Sequence, residues 1–206
     1  HTVIQVDKKG QNSIILFGGT NQMQTKEYMD YVLSDFKAGD YLLLQNEINL
    51  LDYIIDKAYE KGMRIILNPS PFDDKLNTCD LGKVYLFLLN EIEGEQITGY
   101  KDKDQILDAM AEKFPNARFV LTLGSDGAVY YDGKEKVFQD IFKVKAVDTT
   151  AAGDTFTGYF IAAVIEGRSV QEALRMAAKA SSIAVSRPGA TPSIPAMDEV
   201  KRELGM

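Results

Sequence analysis

The stretch VDTTAAGDTFTGYF, Val147 to Phe160, sets two aspartates around a run of small residues directly before an apolar helical pattern. At a helix start the first N–H groups have no partner in the helix and lie at the positive end of its dipole, which favours an anion. Ala151, Ala152 and Gly153 are small enough for a phosphate to reach the backbone. A carboxylate at Asp154 could then take a proton from a hydroxyl while those donors stabilise charge on a transferring phosphoryl group. Spacing alone serves equally an ordinary helix start that Asp148 or Asp154 merely caps.

The elements that must position this stretch can be read from periodicity. Thr2 to Val6 and Ser13 to Phe17 are β-rich runs separated by DKKGQN, which predicts a hairpin. Apolar strands at Tyr41 to Leu44, Arg64 to Leu67, Val84 to Leu89 and Phe119 to Leu123 alternate with helical patterns at Thr25 to Phe36, Leu50 to Lys61 and Lys103 to Phe114. Gly62 stops the second helix, and the prolines of NPSP end the strand at Leu67. Asp132-Gly133 between Ala128 to Tyr131 and Val137 to Phe142 predicts a two-residue antiparallel hairpin. Two helices rich in small residues, Ala152 to Glu166 and Val170 to Ser186, close the pattern. The alternation predicts one α/β domain, a mostly parallel sheet with helices on both faces, with a hairpin appended at the front. Ligands of such sheets bind beyond the carboxyl ends of strands, where NEIE (Asn90 to Glu93), TLGSDG (Thr122 to Gly127) and Asp148 to Asp154 would share a cleft.

The 206 residues are 45% hydrophobic, enough for a substantial core. A net charge of -7 and a pI near 4.8 argue against broad contact with nucleic acid or an anionic membrane. A bound anion would need local dipoles or a cation. The single cysteine, Cys79, excludes an internal disulfide and fits a reducing, cytoplasmic setting. No apolar run approaches the ~20 residues that span a bilayer. The chain opens on His1, without a methionine and already in a strand pattern, which reads as a fragment. His1 is the sole histidine and cannot anchor a triad or a metal cluster.

DTTAAGDTFTGYF resembles the second signature of the ribokinase-like (PfkB) carbohydrate kinases, D-T-x-A-A-G-D. The resemblance covers the whole chain, with its motifs in family order, and is closest on the ribokinase branch. It implies a three-layer, doubly wound, ribokinase-like fold in which residues 1–17 are the remnant of a β lid and 18–206 form the nucleotide-binding and catalytic domain. It also implies that Asp154 is the catalytic base and that Ala151, Ala152 and Gly153 form an anion hole. NEIE is similar to the family's N-x-x-E, placing Asn90 near the nucleotide phosphates and Glu93 in the magnesium shell; on its own it is a turn with a helix cap. Thr122, Gly124, Ser125, Asp126 and Gly127 resemble the nucleotide-binding loop, although GSDG alone is a hairpin turn. RPGATPSIP, Arg187 to Pro195, is similar to the segment that helps enclose a monovalent cation, where it would otherwise be a surface loop. The implied potassium contacts are the Asp148 side chain, Ser193, and the carbonyls of Thr150, Ala184, Arg187 and Gly189, an all-oxygen set suited to a hard cation.

The implied reaction is ATP-dependent phosphorylation of a sugar hydroxyl, ribose to ribose 5-phosphate, with ATP, Mg2+ and K+. Glu47, in QNE at a strand end, resembles the glutamate that meets the sugar, though a capping or solvated role fits it nearly as well. Gly18-Gly19-Thr20-Asn21 is set aside as a turn, because the family's glycine-rich first signature precedes the segment matching His1. In the helix before Arg187, where many relatives carry asparagine near the adenine, this chain has Ala178 and Lys179. The resemblance implies a homodimer formed through the lid in a longer parent, small-molecule partners, and no nucleic acid or membrane. Two other readings stay open: a kinase for another acceptor, such as fructose, a sugar phosphate, a nucleoside or a deoxy-keto acid, and a non-catalytic nucleotide-binding fragment.

Overall fold

The computed structural model describes residues 2–6 and 12–206. His1 and most of the expected hairpin turn, Asp7 to Gln11, lie outside the described residues. The chain divides into two compact units, His1–Tyr85 and Leu86–Met206.

In the first unit, β1 (Thr2–Val6) pairs antiparallel with β2 (Asn12–Leu16), with Thr2 opposite Leu16. The expected turn at Gly18 to Asn21 is a single 3-10 turn at Gly19–Gln22. Helix α1 (Lys26–Ser34) begins at Thr25, whose hydroxyl accepts from the Tyr28 amide, an N-cap that satisfies one orphan donor. Strands β3 (Tyr41–Gln45) and β4 (Arg64–Asn68) pair in parallel, Tyr41 beside Arg64, joined by α2 (Leu51–Glu60). Leu51, Ile54, Ile55 and Ala58 are the buried face of α2, the i, i+3, i+4, i+7 stripe that a helix packed on one side requires. Ile65, Ile66 and Leu67 are all buried, so β4 is covered on both faces, as parallel strands are. Gly62, with φ of 73°, ends the helix as its position predicts.

The second unit opens with β5 (Leu86–Asn90), which runs parallel to β6 (Arg118–Thr122). Between them lie α3 (Glu91–Thr98) and α4 (Lys103–Lys113). Phe87 stacks on Phe119 at 5.8 Å and on Phe114 at 5.1 Å between centroids. Fully buried aromatic rings of this kind each contribute roughly 1.5–3 kcal/mol by leaving water. β7 (Ala128–Tyr131) pairs antiparallel with β6 and with β8 (Lys136–Gln139). The connection is not the expected two-residue turn. Tyr131 faces Lys136, leaving four loop residues, because the Asp132 side chain accepts from the amides of Lys134 and Glu135 and holds a wider turn.

Helices α5 (Ala152–Ile165) and α6 (Val170–Val185) pack together, and Ala163, Ala173, Ala177 and Ala180 on them are buried. A last helix, α7 (Met197–Leu204), buries Val200 and Leu204. The helix cap that NEIE suggested starts α3, whereas α7 was not expected.

Candidate active site

The start of α5 is built by backbone and not by a side-chain cap. Ala151 occupies the N-cap in the left-handed region (φ 60°, ψ 12°) and accepts no side-chain hydrogen bond. A non-glycine residue there costs about 1–2 kcal/mol, which the surrounding loop must offset. Asp148 does so from one side. Its Oδ1 accepts from the Thr150 amide at 2.9 Å and its Oδ2 from the Gly189 amide at 2.9 Å, tying the loop to a segment 41 residues away. The Thr150 hydroxyl and amide and the Gly189 amide hold the Asp148 carboxyl below the usual carboxylate range. From the other side the amides of Val147 and Asp148 donate to the Val185 carbonyl, and Ser181 Oγ donates to the Ala152 carbonyl at 3.1 Å. Asp154 stands exposed in the first turn of α5.

A cavity of about 670 Å3 borders this helix start. Thr122, Gly124, Ser125 and Gly127 reach it from the end of β6, and Ala152 and Gly153 from α5. Those residues were expected together, and the second unit brings them to one cavity. Gly124–Asp126 is a 3-10 turn, with Ser125 Oγ donating to Asp126 Oδ1 at 3.3 Å; Asp126 itself is not part of the cavity wall. Gly127 has to be glycine. With φ of 95° and ψ of -144°, an added Cβ would overlap the Gln139 carbonyl oxygen.

Sequence reasoning missed the opposite wall. The strand expected to run to Phe142 stops at Gln139, and Ile141, Phe142, Val144 and Ala146 line the cavity without regular structure. Lys143 and Thr149, with Phe156 of α5 and Ala178, Ser181, Ser182 and Val185 of α6, complete the lining. The signal lay in IFKVKA, where apolar residues are broken by Lys143 and Lys145 beyond a strand of ordinary length.

Asn90 and Glu93 form a capping box at the start of α3. Asn90 Oδ1 accepts from the Glu93 amide, while the Asn90 amide and Nδ2 donate to Glu93 Oε2 and Oε1 at 2.9 and 3.1 Å. Glu93 is 6% exposed, and Asn90 sits beside Thr122 in the β5–β6 register. Both carboxylate oxygens are thus already held by Asn90, yet each retains a lone pair. Among the described residues no group of three or more His, Cys, Asp or Glu could hold a metal ion. One carboxylate with substrate phosphates is nonetheless a usual magnesium arrangement, so the residues fit that ion.

The residues expected around a monovalent cation are partly gathered. Asp148 and Gly189 are hydrogen-bonded, and the Ala184 carbonyl accepts from the Arg187 amide at 3.1 Å. Ser193 is fully buried and donates to the Ala190 carbonyl at 2.7 Å. Two anchors fix this segment: Tyr159 Oη donates to the Pro195 carbonyl at 2.6 Å, and the Arg187 guanidinium forks onto both oxygens of Glu199. The donor chemistry, oxygen only, fits a hard cation. Glu47 lies exposed in the first unit, where its carbonyl accepts from Gln22 Nε2 at 2.8 Å.

Comparison with known proteins defines the class. Residues 1–197 match the pfkB family of carbohydrate kinases, and the chain belongs to that family. It is 36% identical to the ribokinase of Arabidopsis thaliana over 99% of its own length and 34% identical to that of Haemophilus influenzae over 95%. The crystal structure of the Arabidopsis ribokinase complexed with ribose and ATP covers 100% of this chain and 69% of that one, with a TM-score of 0.85 at 31% identity. The α/β fold read from the sequence is therefore the fold of solved ribokinases. The chain spans 56% of the Arabidopsis relative's length and 66% of the Haemophilus one. No helix among the described residues is long and apolar enough to cross a membrane.

Proposed function

We propose that this protein binds ATP in the cavity at the α5 start and transfers its terminal phosphoryl group to a sugar hydroxyl, ribose at its 5-position being the first choice. The observation that carries this is the juxtaposition of the strained Ala151 turn, Ala152 and Gly153 on the cavity wall, and Asp154 in the same helical turn. Asp154 takes the proton of the attacking hydroxyl, and the amides hold the phosphate oxygens as charge moves across them. Asn90 and Thr122 orient the nucleotide phosphates from adjacent strand ends. Magnesium, when bound near Glu93, supplies charge neutralisation between the phosphates. Asp148, Ser193 and the carbonyls of Thr150, Ala184, Arg187 and Gly189 would hold potassium, whose charge keeps the loop beneath α5 in its shape.

On the acceptor side Glu47 contacts the sugar, and the N-terminal hairpin, residues 1–17, acts as lid and dimer contact. Val3, Ile15 and Leu16 are 60%, 66% and 57% exposed on that hairpin, apolar area that a second copy would cover. The single cysteine fits a cytoplasmic protein.

One observation favours a second reading, a nucleotide-binding module without turnover: the cavity and the α5 start lie together in the second unit, while the candidate sugar contact Glu47 lies exposed in the first. Sugar-dependent ADP release, measured across ribose, deoxyribose and fructose with and without potassium, separates the two. Ribose 5-phosphate as product supports the kinase. Nucleotide binding with no sugar-dependent turnover supports the module, and no nucleotide binding sinks both.

A further inference from the structure

Among the described residues, no side chain lining the cavity carries an amide or a carboxylate with which to tell one purine from another. Adenine and guanine differ on their hydrogen-bonding edge: adenine offers an amine donor and a ring acceptor where guanine offers a carbonyl acceptor and a ring donor. A side chain that separates them presents a donor and an acceptor in fixed positions, as an amide does, or a fixed pair of acceptors, as a carboxylate does. The residues lining this cavity include no Asn, Gln, Asp or Glu.

Thr149 lies at the α5 start; the other hydroxyls that line the cavity donate within the protein, Ser125 Oγ to Asp126 Oδ1 at 3.3 Å. Ser181 Oγ donates to the Ala152 carbonyl at 3.1 Å, Ser182 Oγ to the Lys179 carbonyl at 2.8 Å, and Thr122 Oγ1 to the Leu89 carbonyl at 3.4 Å. What remains at each is an oxygen lone pair, which can accept an exocyclic amine from either purine. Lys179, beside the wall in α6, is likewise held: its ammonium lies 3.2 Å from Glu203 and 5.0 Å from the Phe142 ring centroid. Lys143, the one charged lining residue, is exposed, and a triphosphate brings it the same charge with either base. Ile141, Phe142, Val144, Ala178 and Val185 offer the base surface and shape.

We infer that this site takes adenine and guanine nucleotides alike, holding the purine by apolar contact and the phosphates by the α5 start. The inference rests on the nucleotide-site reading above and goes beyond it to the choice of phosphoryl donor. Sites that read a group by side-chain hydrogen bonds reject its absence by about 10^4–10^5, whereas apolar pockets discriminate by roughly 10–200.

The test is competition of ATP and GTP against a fluorescent N-methylanthraniloyl-ADP on the whole chain, read as binding and so independent of turnover. Inhibition constants within about 200-fold of each other are expected, the range of apolar pockets. A larger gap overturns the inference while leaving the nucleotide site standing, and displacement by neither nucleotide overturns both. Two variants sharpen the result. Phe142→Ala should weaken ATP and GTP in parallel, and weakening of one alone contradicts the inference. Ala178→Asn, which adds an amide to the wall, should open a gap between the two nucleotides that the unaltered chain lacks; a wall already reading the base through its side chains would instead show that gap beforehand.

Discussion

Two helices in this molecule begin in the same unusual way, one in each unit. Helix α2 starts from Leu50 at φ 61°, ψ 27°, and α5 from Ala151 at φ 60°, ψ 12°; neither has a side-chain cap. Each carries one acid in its first turn, Asp52 or Asp154, and each buries the fourth residue, Ile54 at 3% and Thr155 at 2% exposure. Their surroundings separate them. The residue before Leu50, Asn49, is stitched to the chain at Asn21 and Gln24: its amide donates to the Asn21 carbonyl, its Nδ2 to the Gln24 carbonyl, and its Oδ1 accepts from the Gln24 amide. The turn before α5 is held from beneath by Asp148, and the helix start borders a cavity. A left-handed residue at a helix start is therefore a way to turn the chain sharply. It becomes a candidate site where the turn meets space, small residues and an acid together.

The hardest test of that distinction is to neutralise both acids. Asp154→Asn should lower sugar-dependent turnover by about 10^2–10^4, the usual worth of a general base. Asp52→Asn should leave turnover within about twofold. Equal losses in the two variants would mean that the α5 start has no special chemistry.

Much of this contrast was legible in the residues, and what was not has physical causes. The α5 start stood out because Asp148, three small residues and Asp154 occur in one short run. The α2 start did not, since nothing in NLLDY marks Leu50 as left-handed; that conformation comes from the bonds of Asn49 to a segment 25 residues away. The strap from Asp148 to Gly189 was equally hidden, because it crosses 41 residues. Helix α3 was masked by Gly94, which weakens the helical pattern but is needed where a Cβ would come within 2.7 Å of Ile106 Cγ2. Helix α7 carries a pattern of its own, Val200 and Leu204 four apart with Asp198 and Glu199 in its first turn and Lys201 and Arg202 in its last, but it is short and follows a loop rich in proline.

Smaller perturbations probe the two starts as structures. Ala151→Gly removes the left-handed strain, about 1–2 kcal/mol, against roughly 0.4–1 kcal/mol of added chain entropy, for a net gain of up to about 1.6 kcal/mol. Leu50→Gly relieves the same strain but deletes a half-buried leucine, so it should gain nothing. Urea midpoints read both, and a loss of stability in Ala151→Gly would show that the turn is not under strain. At the fourth helical position, Thr155 Oγ1 is buried with no hydrogen-bond partner among the described residues, where α2 places the apolar Ile54. An unsatisfied hydroxyl is costly, so Thr155→Val should raise stability by about 1 kcal/mol, or Tm by roughly 2–4 °C. A fall of that size would mean that the hydroxyl is satisfied in solution.

A third start serves as the control, because α6 is capped by side chains. The Ser169 hydroxyl accepts from the Glu172 amide, and Glu172 Oε2 accepts from the Ser169 hydroxyl and amide. Those bonds, the hydroxyl first, hold the Glu172 carboxyl below its usual range. A carboxyl lowered in the folded state contributes stability above its unfolded value, near about 4.3, and loses that contribution as pH falls through the folded one. Glutamine can keep the box without the charge. The stability difference between the unaltered chain and Glu172→Gln should thus be constant from neutral pH to about 5 and shrink towards zero as the medium becomes more acid. Denaturant midpoints at several pH values measure it. A difference that persists unchanged below the folded value would show that the box is held by shape alone.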